Sequence, residues 1–185
     1  VIKSAVDSLI KDATGWHGLE YKASQNQQLV MHHEHFGSMP VEMLSDGIRN
    51  AIAMVADLAF RAYKLNPHLG ADAARLTPGV AMIDEVDMFL HPSWQQTIIA
   101  SLRQAFPQIQ FIVSTHSPQV LTTVPSECIR ILKDGRAHSA PPGSEGAEPS
   151  RLLKQVLGLQ NARPLRNEAT KELMEYLSLV DQDKW

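Results

Sequence analysis

The sequence predicts an α/β fold: a mostly parallel sheet with flanking helices, a β-hairpin and a C-terminal helical tail. Three observations carry that reading. Residues 80–83 (Val-Ala-Met-Ile) and 109–113 (Ile-Gln-Phe-Ile-Val) are short apolar runs of the kind shown by strands buried on both faces. Residues 92–105 between them have helical composition, with Pro92 in the first turn, where its missing N–H is no loss. Strand, helix and strand in this order make a parallel crossover. Further on, 128–132 and 136–139 flank Lys133-Asp134-Gly135, and Asp-Gly between strands signals a tight hairpin.

The remaining elements follow in chain order. Val1, Ala5, Val6, Leu9 and Ile10 fall on one face at helical spacing, so the first dozen residues form an amphipathic helix. Residues 16–23 and 28–33 read as a hairpin around the polar Ser24-Gln25-Asn26-Gln27 turn. From Leu44 a longer helix begins, with Ser45 at its N-cap and an apolar stripe of Ile48, Ile52, Val55, Leu58 and Ala59 running toward Tyr63. Asn66 and Pro67 end it, and the stretch through Gly70 to Thr77-Pro78-Gly79 reads as a surface connection. Residues 140–149, rich in Pro, Gly, Ser and Glu, read as a mobile linker before the helical tail.

Composition bounds the function. A chain of 185 residues holds one domain with a real core. Its apolar runs all fall short of the ~20 residues a membrane helix needs. A net charge of −3, with no local Lys/Arg cluster, provides no basic field for nucleic acid, so any such contact is expected from elsewhere. Cys128 is the single cysteine, which excludes an internal disulfide and a cysteine-based zinc site; it is expected to pack in a strand, and the usage fits a reducing cytoplasm. The chain opens on Val1 with no signal-like segment, and the expectation is a piece of a longer protein.

Asp84 and Glu85 end the first apolar strand, so their carboxylates emerge at the carboxyl edge of a parallel sheet, where ligands bind in open α/β folds. An acid there can hold magnesium while its neighbour polarises an attacking water; the alternative is an N-cap pair for a following helix. The next strand ends in Ser114-Thr115-His116-Ser117-Pro118, bringing an imidazole to the adjacent tip. His116 can donate to a terminal phosphate, or simply cap the helix after it. In Leu44-Ser45-Asp46-Gly47-Ile48-Arg49 the helix N-terminus favours an anion, Ser45 adds a hydroxyl and Gly47 allows close approach; the alternative is a plain N-cap serine.

The order of these three motifs resembles the signature motif, Walker B strand and His-loop of ABC-type ATPases, in the SMC-like and OLD-like branch, over residues 40–132. The resemblance implies that Asp84 assists Mg²⁺, Glu85 is the catalytic carboxylate and His116 the switch histidine. It also implies that Ser45 and Gly47 contact the γ-phosphate of ATP held by a second head, so that the site is complete only in a homodimer. Asp87 and His91, in Val86-Asp87 and Leu90-His91-Pro92, would lie near the dimer seam. Residues 1–39 would then be the end of an insertion or arm with the incoming hairpin, 40–139 the C-terminal lobe, 140–150 the linker and 151–185 the tail. No Gly-x-x-x-x-Gly-Lys-Ser/Thr occurs, so the P-loop lobe is expected upstream and this chain alone is expected to be inactive.

Leu90-His91-Pro92-Ser93-Trp94-Gln95 and Thr115-His116-Ser117-Pro118-Gln119-Val120-Leu121, with the linker and tail after them, resemble bacterial defence ATPases of the retron and Septu (PtuA) type. That resemblance implies an ATPase in anti-phage defence with an associated HNH nuclease. Two other readings stay open: a nucleotide-gated scaffold that assembles and restrains an effector, and a DNA-repair head of the SMC-like group. Lesser features have competing explanations. His32, His33, Glu34 and His35 suggest a metal or a solvated strand; Trp94 and Trp185 suggest partner anchors or, for Trp94, packing of the crossover helix. Arg163, Arg166 and Lys171 suggest a phosphate contact or a wet helix face.

Overall fold

Helix α1 (Ile2–Thr14) forms because Ala5, Val6, Leu9 and Ile10 recur on one buried face, and it stops at Gly15, whose left-handed conformation (φ 77°) lets its N–H bond the Lys11 carbonyl at 2.8 Å. Strands β1 (His17–Lys22), β2 (Gln28–His33) and β3 (Gly37–Pro40) follow as an antiparallel sheet in the order β1-β2-β3. The expected hairpin is present, and β3 is an addition: a four-residue strand with one Gly and one Pro gives little sequence signal. The computed structural model describes residues 1–23, 27–159 and 167–182; most of the β1–β2 turn lies outside them, as do Arg163, Arg166 and Trp185.

Helix α2 (Asp46–Leu65) buries Ile48, Ala51, Ile52, Val55, Ala59 and Ala62, and Asn66 closes it as expected. The connection after it is more structured than its Gly and Pro content suggests. Pro67–Asp72 is a 3₁₀ turn and α3 (Ala73–Leu76) buries Ala73 and Ala74, while the buried Thr77 hydroxyl donates to the Ala62 carbonyl at 3.4 Å. Small alanines fit against α2 with little periodic signature, so the apolar contact was not visible as a pattern.

Strands β4 (Gly79–Ile83) and β5 (Ile109–Val113) pair in parallel, in register from Gly79 against Ile109 to Ile83 against Val113. Burial on both faces is not what the structure shows. Ile83, Ile109, Phe111 and Val113 pack on the core, whereas Val80, Met82 and Ile112 are 62%, 80% and 49% exposed. Among the described residues only one face of this sheet is covered. The crossover helix is also broken in two, α4 (Pro92–Gln95) and α5 (Ile98–Ala105). Thr97 breaks it: its N–H and hydroxyl both bond the Trp94 carbonyl, at 3.0 and 3.1 Å. The short helix α6 (Pro118–Leu121) follows β5.

These elements form one compact unit, Val1–Thr123, in which α1, α2 and α5 enclose the core around Val6, Val55, Leu102 and Phe106. Trp94 ties the crossover to α1, its indole N–H donating to the Ala13 carbonyl at 3.0 Å. Trp94→Phe is expected to lower unfolding free energy by about 1 kcal/mol, the net worth of such a bond, measured by urea denaturation.

The second unit is Val124–Trp185. In it β6 (Arg130–Lys133) and β7 (Arg136–Ser139) pair around Asp134 and Gly135 in the expected tight hairpin, and their φ values of 52° and 70° mark the turn as type I′. Cys128 is not in a strand; it ends a 3₁₀ turn and is exposed. Nor is the linker unstructured throughout, since Ser144 is buried, its hydroxyl donating to the Pro141 carbonyl and its N–H donating to the Ser126 hydroxyl at 3.1 Å. Helices α7 (Pro149–Gln155) and α8 (Glu168–Asp181) form the tail, and Lys171 is paired with Glu168 at 3.0 Å on the surface of α8. No helix among the described residues is long and apolar enough to cross a membrane.

Candidate functional site

Because β4 and β5 end level with each other, the residues after Ile83 and Val113 leave the sheet side by side. The ladder runs one step further: the Ser114 N–H donates to the Ile83 carbonyl at 3.0 Å, and the Val86 N–H donates to the Ser114 carbonyl at 3.1 Å. Asp84 and Glu85 thus stand exposed at the carboxyl edge beside Ser114, with exposed His116 two residues further along the neighbouring tip.

Side chains reinforce this edge. The Ser114 hydroxyl donates to Asp84 Oδ1 and accepts the Glu85 N–H at 2.8 Å. Thr115 repeats the pattern, donating to Asp87 Oδ1 and accepting the Ser117 N–H at 3.0 Å. Ser117 then donates to Gln95 Oε1 at 2.6 Å, and the Gln95 amide reaches the Leu90 carbonyl at 3.0 Å. The segment following β4 is therefore fastened to the segment following β5 at several points. Glu85 and Phe89 in it have φ values of 49° and 62°, a conformation that non-glycine residues hold only where the surroundings enforce it.

The capping alternatives have definite outcomes. Neither Asp84 nor Glu85 caps a helix; His91 does so for α4, and Ser117, not His116, caps α6, accepting from Gln119 and Val120 at 3.1 and 3.4 Å. Ser45 occupies the N-cap position of α2 but its side chain takes no capping bond, leaving an exposed hydroxyl at a helix N-terminus. Gly47 is buried for a reason internal to the chain: a Cβ there would lie 2.4 Å from the Phe89 carbonyl oxygen. The start of α2 thus abuts the segment that carries Asp84 and Glu85. No hydrogen bond joins Ser45 to Asp84, Glu85 or His116 among the described residues.

A hard divalent cation suits the edge. Mg²⁺ commonly takes one or two carboxylates and completes its shell with water and phosphate oxygens. Asp84 keeps one oxygen free of Ser114, and no group of three metal-ligand side chains is assembled among the described residues, as a dedicated transition-metal site would require. The His-rich strand is accounted for otherwise. His33 packs against both Trp16 and Phe36, with ring centroids 5.0 and 4.7 Å away, and His32 bonds Ser38 at 2.7 Å. Nearby, hydrogen bonding to Lys22 holds the Glu20 carboxyl below its ordinary pKa, with a smaller contribution from His32.

The sequence motifs gave Asp84, Glu85 and His116, but not Ser114, Thr115 or Gln95, which fasten the two tips. A hydroxyl pair before a histidine at a strand end was the available signal.

Residues 4–122 match the family described as "AAA domain, putative AbiEii toxin, Type IV TA system". The chain is 42% identical over 152 residues to the "Retron Ec83 probable ATPase" of Escherichia coli, covering 80% of this chain and 27% of that protein. It is 42% identical over 135 residues to the "Retron Vc95 probable ATPase" of Vibrio cholerae serotype O1 biovar El Tor, covering 72% and 25%. To the "Septu protein PtuA" of Bacillus mycoides (strain KBAB4) it is 33% identical over 134 residues, covering 69% and 18%. The chain thus spans about a quarter or less of the length of these three relatives. A solved structure from work on "ATP-driven dimerization and DNA stimulated activation of SMC ATPases" superposes with a TM-score of 0.54 at 13% identity, over 86% of this chain and 93% of that one, a likeness of fold. With its matched region running from α1 into the turn after α6, the chain belongs to this AAA domain family.

Proposed function

We propose that this chain is the C-terminal portion of an ATPase head that binds and hydrolyses ATP with Mg²⁺ when two heads meet. The observation that carries the reading is the β4–β5 edge, where Asp84, Glu85 and the Ser114-Thr115-His116 tip emerge together. In this reading Asp84 holds Mg²⁺ through water and Glu85 orients and polarises the attacking water. His116 donates to the terminal phosphate, while Ser45 and the N-terminus of α2 receive the γ-phosphate from the opposite head.

The names of the relatives support a place in retron or Septu systems. With the motif resemblance they favour an anti-phage ATPase that controls an associated HNH nuclease in the cytoplasm. Contacts with nucleic acid, if made, come through other parts of the longer protein, because this chain carries a net charge of −3.

The test is a comparison of Mg²⁺-dependent ATP turnover. The full-length protein is expected to hydrolyse ATP, and the 185-residue chain, lacking a P-loop sequence, is expected to show none. Measurable turnover by the chain alone refutes the composite site. For the dimer, two inactive full-length variants, Ser45→Arg and Glu85→Gln, are mixed. A mixed dimer has one site with both an intact Ser45 and an intact Glu85, so partial recovery is expected; no recovery despite mixed-dimer formation counts against action in trans.

A further inference from the structure

We infer that Ser114 is a positioning residue for the carboxylate edge: its hydroxyl sets both the rotamer of Asp84 and the backbone of Glu85. The inference rests on the ATPase reading of those two acids and adds a residue to it. A hydroxyl has one proton to give. Ser114 gives it to Asp84 Oδ1, so it meets the Glu85 N–H, 2.8 Å away, as an acceptor. The direction of the chain is then fixed from the Glu85 N–H to the Ser114 hydroxyl to the Asp84 carboxylate, each bond polarising the next.

Two features separate this from a structural role. First, the strand ladder does not depend on the hydroxyl, because Ser114 also bonds Ile83 and Val86 through its own main-chain N–H and carbonyl, at 3.0 and 3.1 Å. Removing the side-chain oxygen leaves the two tips joined. Second, what the hydroxyl holds is exposed, so water can replace its bonds without a desolvation penalty, but water does not fix an orientation. Glu85 sits at φ 49°, where its N–H and that of Val86 both turn onto Ser114. With the hydroxyl gone, Asp84 is free to rotate and Glu85 is released toward ordinary backbone angles. The free oxygen of Asp84 then no longer points consistently to one place, and the water through which it would hold the cation is placed less well.

The experiment uses the full-length protein and the variants Ser114→Ala, Ser114→Thr and Ser114→Val. Thr and Val have nearly the same shape, and only Thr keeps the hydroxyl. Affinity for Mn²⁺, a spectroscopic substitute for Mg²⁺, is measured by electron paramagnetic resonance with a non-hydrolysable ATP analogue, alongside the Mg²⁺ concentration for half-maximal turnover. Ser114→Ala and Ser114→Val are expected to weaken Mn²⁺ binding by about 10-fold or more, the usual cost of losing a group that orients a metal-binding carboxylate. Ser114→Thr is expected to stay close to the parent, and the half-maximal Mg²⁺ concentration to rise in step with the Mn²⁺ loss. Should Ser114→Ala not fold, the Thr and Val pair decides. Equal Mn²⁺ affinity in Thr and Val variants overturns the inference, whether both match the parent or both are weak. A parent protein that binds no Mn²⁺–nucleotide, or whose turnover survives Glu85→Gln, instead overturns the ATPase reading itself.

Discussion

Glu85→Gln is expected to reduce Mg²⁺-dependent ATP turnover of the full-length protein by about 10²- to 10⁴-fold, the range a positioned general base contributes. Nucleotide affinity is expected to stay near that of the parent. Glutamine has the same shape as glutamate, and the bond that fixes Glu85 in place, from its N–H to the Ser114 hydroxyl, belongs to the main chain and survives. The Asp84 carboxylate and its partner Ser114 are untouched. What is lost is one exposed negative charge able to take a proton from water. A turnover assay with a parallel nucleotide-binding titration checks this, and unchanged turnover removes Glu85 from the chemistry. The same variant also separates the two views of how ATP serves the complex. Under the proposed reading, loss of effector control while ATP still binds means that hydrolysis drives it; control that persists without turnover means that ATP acts as a gate on a scaffold.

The parts of the fold that were legible in the sequence were those fixed by local chemistry. Asp134-Gly135 dictates its turn, the Ile48 to Ala59 stripe dictates α2, and β4 and β5 are recognisable as strands from composition alone. Periodicity, however, reports how apolar a residue is and not what lies over it. Val80, Met82 and Ile112 are as apolar as a doubly covered strand requires, yet they face outward in this chain. The break between α4 and α5 was hidden for a related reason: Thr97 is an acceptable helix residue until its hydroxyl competes for the Trp94 carbonyl.

For the site the division is similar. Ionisable residues at strand ends stand out by type and position, so Asp84, Glu85 and His116 could be named from sequence. Ser114, Thr115 and Gln95 act through hydrogen bonds spanning 22 to 30 residues of sequence; the hydroxyl pair before His116 marks the strand tip, but no residue type by itself identifies such a distant partner. Ser45 and Gly47 could be located but not fully explained. Their motif suggested room for a phosphate, whereas the nearest neighbour of Gly47 in this chain is the Phe89 main chain.

That contact makes Gly47→Ala the substitution with the largest expected effect on the fold. Replacing glycine by alanine within a helix ordinarily stabilises by about 1 kcal/mol. Here the new methyl would stand 2.4 Å from the Phe89 carbonyl oxygen and 3.2 Å from its carbon, distances that require the main chain to move. Phe89 has little freedom to yield: it holds φ 62°, the next carbonyl is bonded by Gln95, and Asp87 is bonded by Thr115. Overpacking of this kind costs about 1–3 kcal/mol, which outweighs the helix gain. Urea denaturation of the 185-residue chain is therefore expected to show a lower midpoint with an unchanged slope. The full-length protein is expected to lose turnover as well, because the displaced segment is the one that continues from Asp84 and Glu85. Were Gly47 present only to admit a phosphate from another head, the free chain carrying alanine would be as stable as the parent or more so. A raised midpoint in Gly47→Ala would thus assign the glycine to the ligand, and a lowered one assigns it first to the joint between α2 and the carboxylate edge.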